Sequence, residues 1–493
     1  MESNKKTVVV IGAGTAGITI AQRLSQHFDV IVFESSRHKS YPLFFRIPLM
    51  IGFLFRDNRQ KYITMREIKL GTARTIPFFE SNVFGGASVI NGCVHTFGSE
   101  KAWKSVLKNT GISIEDIKKS YRDTYTTTNK KVNKIRIKLS AETALDRSFL
   151  ETVTQLGIKP SDMLYSDSEN CGLIHNTTDH FFRSSVLSLI EKPNFQFHIN
   201  EPVENIKLDK LGSNLIVGTS KRTLSPDFVI VSSGVIGTFD LLSKSDAFGK
   251  LKKQIGSKIK DHTNLRVNVL TNSPIGSINE INKSVFKKLL LLLKHSLGLK
   301  TFMTGTGATS GVHIDLDGDG KVDTRIQLVQ FSESGRHGSA GDIFHNQPGF
   351  SLSITAINPR SNGKLERQGI NININPNYLS AAEDRENLRR AILYCLKLLK
   401  TEPISHFVKE IIDEDIMRSN PNKYIHDNVF SGHHLIGGTT SILNDDLSVK
   451  DLPNVFICDA SVFSAYAASN IHSSVVLLAD AFAKKFIQNN LTN

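Results

Sequence analysis

Apolar residues along the chain fall into short dense runs whose spacing changes from one segment to the next. Thr7 to Ile11 is a β-branched run, followed by Gly12-Ala13-Gly14-Thr15-Ala16-Gly17 and by ITIAQRLSQHF, which predicts a helix; DVIVFE then predicts a second strand ending at Glu34. Between 196 and 236 the runs FQFHI, NIKLD and NLIVGT alternate and predict a small sheet. DFVIVSSG, apolar without interruption, predicts a buried strand returning to the first sheet. From about 271 the composition shifts to a second domain, with SLSITAINPR and INININPNYL as strands and AAEDRENLRRAILYCLKLLK as a long helix. A final apolar helix, VVLLADAFA, closes the chain.

One segment has a mixed face. On a helix, SVFKKLLLLLKHSLGLK (284–300) places Lys287, Lys288, Lys294 and His295 together and Val285, Phe286, Leu289, Leu290, Leu292, Leu293 and Leu297 opposite, with Leu291 intruding on the polar side. The expectation is a helix covering a pocket; the alternative is a basic lip touching a membrane surface and admitting a lipophilic substrate.

Composition narrows the class. The 493 residues carry 60 Lys and Arg against 47 Asp and Glu, a net charge of +13, but the basic residues are scattered and no nucleic acid is expected as a partner. Cys93, Cys171, Cys395 and Cys458 show no CxxC spacing, so neither a disulfide framework nor a cysteine zinc site is expected. No apolar run reaches the ~18 residues that span a bilayer, and the strand at Thr7 leaves no room for a signal peptide; a cytoplasmic location is expected.

The opening strand, glycine turn, helix and acid-tipped strand have the order of a dinucleotide site. Gly12 permits the tight turn, Gly14 lets backbone approach a pyrophosphate, and Gly17 lets helix and strand pack closely. The helix N-terminus offers N–H groups and partial positive charge to that pyrophosphate, and Glu34 can accept from ribose hydroxyls. Phe84-Gly85-Gly86-Ala87-Ser88-Val89-Ile90-Asn91-Gly92 is a second glycine-rich segment where backbone can lie close to a cofactor. Near the end, HHLIGGTT from His433, NVFICDASVF with Asp459, and ASNIHSSVVLLADAFAKKF with Asn470 place a histidine in a glycine turn near a strand and the last helix. Asp315, Asp317, Asp319 and Asp323 are spaced like half a calcium loop, but position twelve is Ile326, and strands flank the run; an Asp/Gly hairpin turn is expected, with no metal.

In this order the motifs resemble the glucose-methanol-choline (GMC) family of FAD-dependent oxidoreductases. GAGTAG with Glu34, FGGASVING, VIVSSGVIGTFDLL, KIKDH, INPRSNGKLE, NPNYLSAAEDRENLRRAI and the closing HLIGG, NVFICDASVF and SNIHSSVVLLADAFA are each similar to a family segment. The resemblance implies an α/β fold: a Rossmann-like FAD-binding domain of GMC type, interleaved with an α+β substrate domain built on an antiparallel sheet. The FAD-binding domain takes 1–40, 75–100, 166–270 and 430–493, and the substrate domain takes 41–74, 101–165 and 271–429. It implies FAD contacts from Gly12, Gly14, Thr15, Ala16, Gly17 and Glu34; from Gly85, Gly86, Ser88, Asn91 and Gly92; from the backbone of Val203; and from Asp459, Ala460 and Asn470. Ile90 stands where some members carry a flavin-linked histidine, so non-covalent FAD is expected.

The resemblance also implies the chemistry. Oxidising an alcohol to a carbonyl removes the hydroxyl proton and transfers a hydride from the same carbon, for which flavin N5 is the acceptor. The family places a His/Asn pair before the flavin, and the match falls on His434, as the proton-handling base, and Asn470, orienting the hydroxyl. His433 is expected to be structural, and His472 competes with Asn470 for the second position. No proline follows Asn470, and Ser464 stands where the family usually has one; both changes bear on the loop that carries Asn470. A small-molecule alcohol is expected as substrate, with oxygen or a separate acceptor taking the electrons. The alternatives are a flavin lyase or light-driven fatty-acid decarboxylase on the same fold, or a flavin-binding protein without alcohol-oxidising activity.

Overall fold

The computed structural model describes residues 5–56, 61–71, 74–128, 132–179, 181–191, 195–299, 301–334 and 344–491. The β-branched run Thr7–Ile11 lies at the centre of a six-stranded sheet, with Val8, Val9 and Val10 fully buried. Burial on both faces is why this strand reads as unbroken apolar sequence. Its parallel neighbours are Asp29–Glu34 and Phe228–Val231, with Val9 opposite Ile31 on one side and Val229 on the other. Leu452–Ile457 extends the sheet in parallel beyond Phe228–Val231, and Ser448–Val449 ends it antiparallel.

Gln196–Ile199 forms the other edge, parallel to Asp29–Glu34. This corrects the expectation that FQFHI belongs to a small sheet with its neighbours. Only Val203–Leu208, Leu215–Thr219 and Thr223–Leu224 form that sheet. Alternation marks a half-exposed strand, and an edge strand of the large sheet shows the same pattern as a strand of a small one.

The helix Thr15–Leu24 packs against the last helix, Ile471–Leu491, so the two ends of the chain close one layer. Buried Asp480 on the last helix pairs with Arg23 at 2.5 Å and with Lys484 at 2.5 Å.

The second large sheet is antiparallel, in the order Val408–Ile411, Thr263–Thr271, Gly349–Ala356, Thr324–Val329, Ala308–Ile314, Asn170–Leu173, with Phe430–Ser431 also paired to Thr263–Thr271. Asn170–Leu173 and all but the last residue of Thr263–Thr271 lie within the 166–270 range, yet both strands are hydrogen-bonded in this sheet. A further six-stranded sheet runs Ile436–Gly438, Ser257–Lys260, Gly363–Gln368, Asn371–Asn375, Ile63–Leu70, Arg74–Ser81. The mainly parallel sheet and these others, interleaved along the chain, make the α/β architecture that the motifs imply.

Ala308–Ile314 and Thr324–Val329 form a hairpin whose last pair is Ile314 with Thr324, so the aspartate run is its turn. Carboxylate oxygens of Asp315, Asp317 and Asp323 lie within 4.8 Å of one another. Asp315 accepts from Gly318 and Gly320 N–H, and Asp323 from Leu316 and Asp317 N–H.

The 284–300 segment forms the helix Val285–Ser296, with Lys300 outside the described residues. Lys288, Leu291 and Leu292 line the large cavity, as expected of a helix covering a pocket, but most of the apolar stripe faces away from the protein. His295 is buried, donating Nε2–H to the Phe181 carbonyl at 3.3 Å and accepting from Thr301 Oγ1 at 3.1 Å, whereas Phe286 is 72% exposed and Leu289, Leu290, Leu293 and Leu297 also face outward. The anchor is this two-bond histidine rather than the leucine stripe. Among the described residues no helix is long and apolar enough to cross a membrane.

Candidate active site

A cavity of ≈ 930 Å³ runs from the first glycine turn to the face of the antiparallel sheet. At one end lie Gly12, Gly14, Thr15, Ala16 and Glu34; along it lie Gly86, Asn91, Gly92, Val203, Asp459 and Ala460; at the other end are His434 and Asn470. Gly17, Gly85 and Ser88 do not line it. A Cβ on Gly17 would stand 1.8 Å from the Gly12 carbonyl oxygen, so Gly17 serves helix–strand packing. Gly85 adopts φ 103° in the turn, and Ser88 donates its hydroxyl to the Gly85 carbonyl at 2.7 Å.

Gly12 (φ 104°) needs the left-handed region, and its N–H donates to Phe33 O at 2.7 Å. Gly14 needs no such conformation: its φ is −88°, and a Cβ there would meet nothing closer than Gly86 Cα at 3.9 Å. A Cβ at Gly14 would thus meet only ordinary contact, and the space beside this backbone belongs to the cavity. Glu34 is held by Ala13 N–H at 2.5 Å and Ser36 N–H at 2.7 Å, placing its carboxylate at the cavity wall.

Asp459 ties two elements together. It accepts from Gly234 N–H (2.9 Å), Thr238 Oγ1 (2.6 Å) and Ser461 N–H (2.7 Å), and burial raises its carboxyl pKa. These bonds clamp the helix Gly234–Lys244 to the turn after Leu452–Ile457. Asn91 is fixed by Arg183, whose Nη1 reaches both the Asn91 carbonyl and Oδ1 at 2.5 Å.

At the far end, Asp261 organises the histidine turn. Its Oδ2 accepts from Tyr378 and Ser431 hydroxyls, each at 2.5 Å, and its Oδ1 from His434 N–H at 2.7 Å. Burial pushes its pKa up to about 6 against these bonds. His433 takes φ 58° in the turn, and its ring packs near Phe78 and Phe79.

His262 fixes the state of His434. His262 Nε2 lies 3.0 Å from the Ile357 carbonyl, which can only accept, so Nε2 carries the hydrogen. Burial above all, with the charge of Arg325 adding to it, holds His262 neutral, so its Nδ1 is an acceptor. His434 Nδ1, 2.9 Å away, must therefore be the donor. The His434 lone pair is left on Nε2, for which no partner exists among the described residues, and His434 lines the cavity. The Tyr466 ring lies 3.8 Å from that of His262, and its hydroxyl donates to His434 O at 2.9 Å. Protein encloses His434 apart from its cavity side; burial, then Arg325 and His433, lower its pKa to about 3.

Asn470 is tied to the protein on both amide atoms: Oδ1 accepts from Arg325 Nη2 at 2.7 Å, and Nδ2 points to Val94 O at 3.3 Å. The loop before it, lacking the usual prolines, is pinned by Ser99 N–H on Ala467 O (2.9 Å) and Ser166 Oγ on Ala468 O (2.8 Å). His472 also lines the cavity, with burial lowering its pKa to about 4.

Asp261, His262, Arg183 and Arg325 were missed as site residues by sequence reasoning. The KIKDH segment was the one available signal, and it pointed to a motif without a role.

The chain matches the GMC oxidoreductase family over residues 7–264 and again over 359–479. It belongs to the GMC oxidoreductase family. Similar relatives include the oxygen-dependent choline dehydrogenase of Vibrio vulnificus, 22% identical, with 96% of this chain and 93% of the relative covered. An alcohol dehydrogenase [acceptor] of Pseudomonas putida is 22% identical over 97% and 95%. Pyridoxine 4-oxidase from Mesorbium loti shares the fold with a TM-score of 0.80 at 16% identity, covering 98% of this chain and 99% of that one. Formate oxidase matches with a TM-score of 0.83 at 16% identity, over 99% and 100%.

GMC oxidoreductases are FAD-dependent, and this cavity fits that cofactor. The side-chain-free cradle at Gly14 and Gly86, with the N-terminus of the helix Thr15–Leu24 beside it, suits a pyrophosphate. Glu34 suits a ribose, and the length of the cavity leads from there to His434.

Proposed function

We propose that this GMC oxidoreductase oxidises a small-molecule alcohol at its CH–OH carbon, with His434 taking the hydroxyl proton on Nε2. The observation that carries this reading is the His434–His262–Ile357 chain, which leaves the lone pair of His434 Nε2 in the cavity without a partner among the described residues. When bound, FAD supplies the acceptor for the hydride that leaves with the C–H electron pair.

The protein's part is to hold the alcohol, exclude bulk water and manage one proton. His434 is neutral before the reaction, so no prior deprotonation is needed. After proton uptake, His434 donates from both ring nitrogens, and His262 Nδ1 keeps one of those bonds. Asn470 orients the substrate hydroxyl with the hydrogen-bonding capacity left after Arg325 and Val94 are served: one lone pair on Oδ1 and one N–H on Nδ2. The cofactor is non-covalent in this reading, since Ile90 lines the cavity where a linking histidine would stand. The contacts expected at Asn91, Gly92, Val203, Asp459 and Ala460 are part of the proposal, as is division into FAD-binding and substrate domains. Oxygen or a separate acceptor takes the electrons. The four buried, unpaired cysteines suit a reducing compartment such as the cytoplasm.

The test is anaerobic bleaching of the flavin by a panel of alcohols. Reduction by at least one alcohol, slowed in His434→Ala with FAD retained, is expected; a yellow protein that no alcohol reduces would overturn the reading.

A further inference from the structure

The cavity wall formed by the antiparallel sheet carries a row of polar side chains, and among the described residues one of its cations has no counter-ion. Asn264 and Arg266, Arg325 and Gln327, and Ser353 and Thr355 occupy alternate positions on three adjacent strands and face the cavity. The residues between them, Leu265, Ile326 and Ile354, are fully buried on the other face. Arg266 is balanced: Glu333 lies 2.9 Å from its Nη1, and Phe331 lies 4.7 Å under its guanidinium.

Arg325 is different. It is 3% exposed, and among the described residues no carboxylate pairs with it. Among the described residues its one hydrogen bond goes to the neutral Asn470 at 2.7 Å, and its buried Nε has no partner. An uncompensated buried cation is costly, and functional clefts are where proteins keep one.

Resting on the alcohol-oxidising reading, we infer that the substrate is a hydroxycarboxylate whose carboxylate binds Arg325. The guanidinium fork matches a carboxylate in two parallel bonds, which a lysine in the same place would not do. Gln327, Ser353 and Thr355 beside it can donate to the remaining carboxylate lone pairs. Arg325 touches Asn470 and lines the same cavity as His434, whose basicity its charge depresses, so the anion would share the cavity with both residues that handle the hydroxyl. The bound carboxylate also offsets the field of Arg325 at His434. The substrate thereby raises the basicity of the nitrogen that takes its proton.

Acetate and benzoate, against acetamide and benzamide as uncharged counterparts of the same shape, test this on the FAD-loaded protein. Binding is read by the shift of the flavin visible spectrum and by calorimetry. The carboxylates are expected to bind about tenfold or more tightly than the amides, as a charge-assisted pair does relative to a neutral one. That preference should persist in Arg325→Lys and fall to about twofold or less in Arg325→Gln, which keeps a donor for Asn470. Equal binding of acid and amide by the parent, which needs no variant, would overturn the inference. So would a preference surviving in Arg325→Gln. The alcohol reading fails by a different result, a flavin that no alcohol reduces, with the carboxylate preference intact.

Discussion

Replacing His262 by glutamine should slow flavin reduction about 5- to 30-fold, whereas asparagine at the same position should be nearly silent. In the parent, His262 Nδ1 accepts from His434 at 2.9 Å, and His262 Nε2–H donates to the Ile357 carbonyl at 3.0 Å. The asparagine Oδ1 falls near the place of Nδ1 and keeps an acceptor for His434. Glutamine reaches the place of Nε2, keeping the bond to Ile357 and losing that acceptor. A neutral hydrogen bond contributes about 0.5–1.5 kcal/mol and one to a charged group about 1.5–3 kcal/mol, so the bond strengthens by about 1–2 kcal/mol as His434 becomes protonated. At about 1.36 kcal/mol per tenfold, its loss gives the stated factor. The assay is anaerobic stopped-flow bleaching of the flavin by the fastest alcohol of a panel, with FAD content and melting temperature measured on each variant. Equal rates in the glutamine and asparagine variants, at equal FAD content, would refute the tautomer argument.

Gly14→Val should give a folded, colourless protein, because its backbone angles and its nearest neighbour at 3.9 Å accept a Cβ while the pyrophosphate does not; absorbance and far-UV circular dichroism check this, and a fully flavinated variant would contradict it. Acid should destabilise the protein. His95, His262 and His313 are buried with lowered pKa values, about 3 for His313, so below an unfolded value of ~6.5 the unfolded chain binds more protons and stability falls with pH. Each contributes up to about 2 kcal/mol of loss by pH 5, partly opposed by Asp261 and Asp459, whose raised pKa values favour the fold as pH falls. Thermal melts at pH 7.5 and 5 should show the lower midpoint at pH 5, and equal midpoints would contradict the account.

What could be read from the sequence was local. The turn from Gly12 to Gly17 and the acid at Glu34 act over one βαβ unit, so spacing alone exposes them, and the structure brings Gly12, Gly14 and Glu34 to one cavity end. Arg325 and His262 had no such signal. Arg325 reaches Asn470 across 145 positions, and His262 reaches His434 across 172, contacts between distant segments that no periodicity pairs. The helix Val285–Ser296 shows the opposite limit: its leucine stripe was visible, but the bonds of His295 to Phe181 and Thr301 decided which face turned inward. FQFHI went to the wrong sheet because alternation reports one covered face and does not identify the partner strand.

The central claim is that His434 accepts the alcohol proton in a flavin site. Its most direct test is the anaerobic rate of flavin bleaching by alcohol in His434→Ala against the parent, with bound FAD quantified in both. The account predicts full FAD occupancy and a rate ~10²–10⁴-fold lower, the usual contribution of a general base. A variant that holds FAD and is reduced at the parental rate would contradict it.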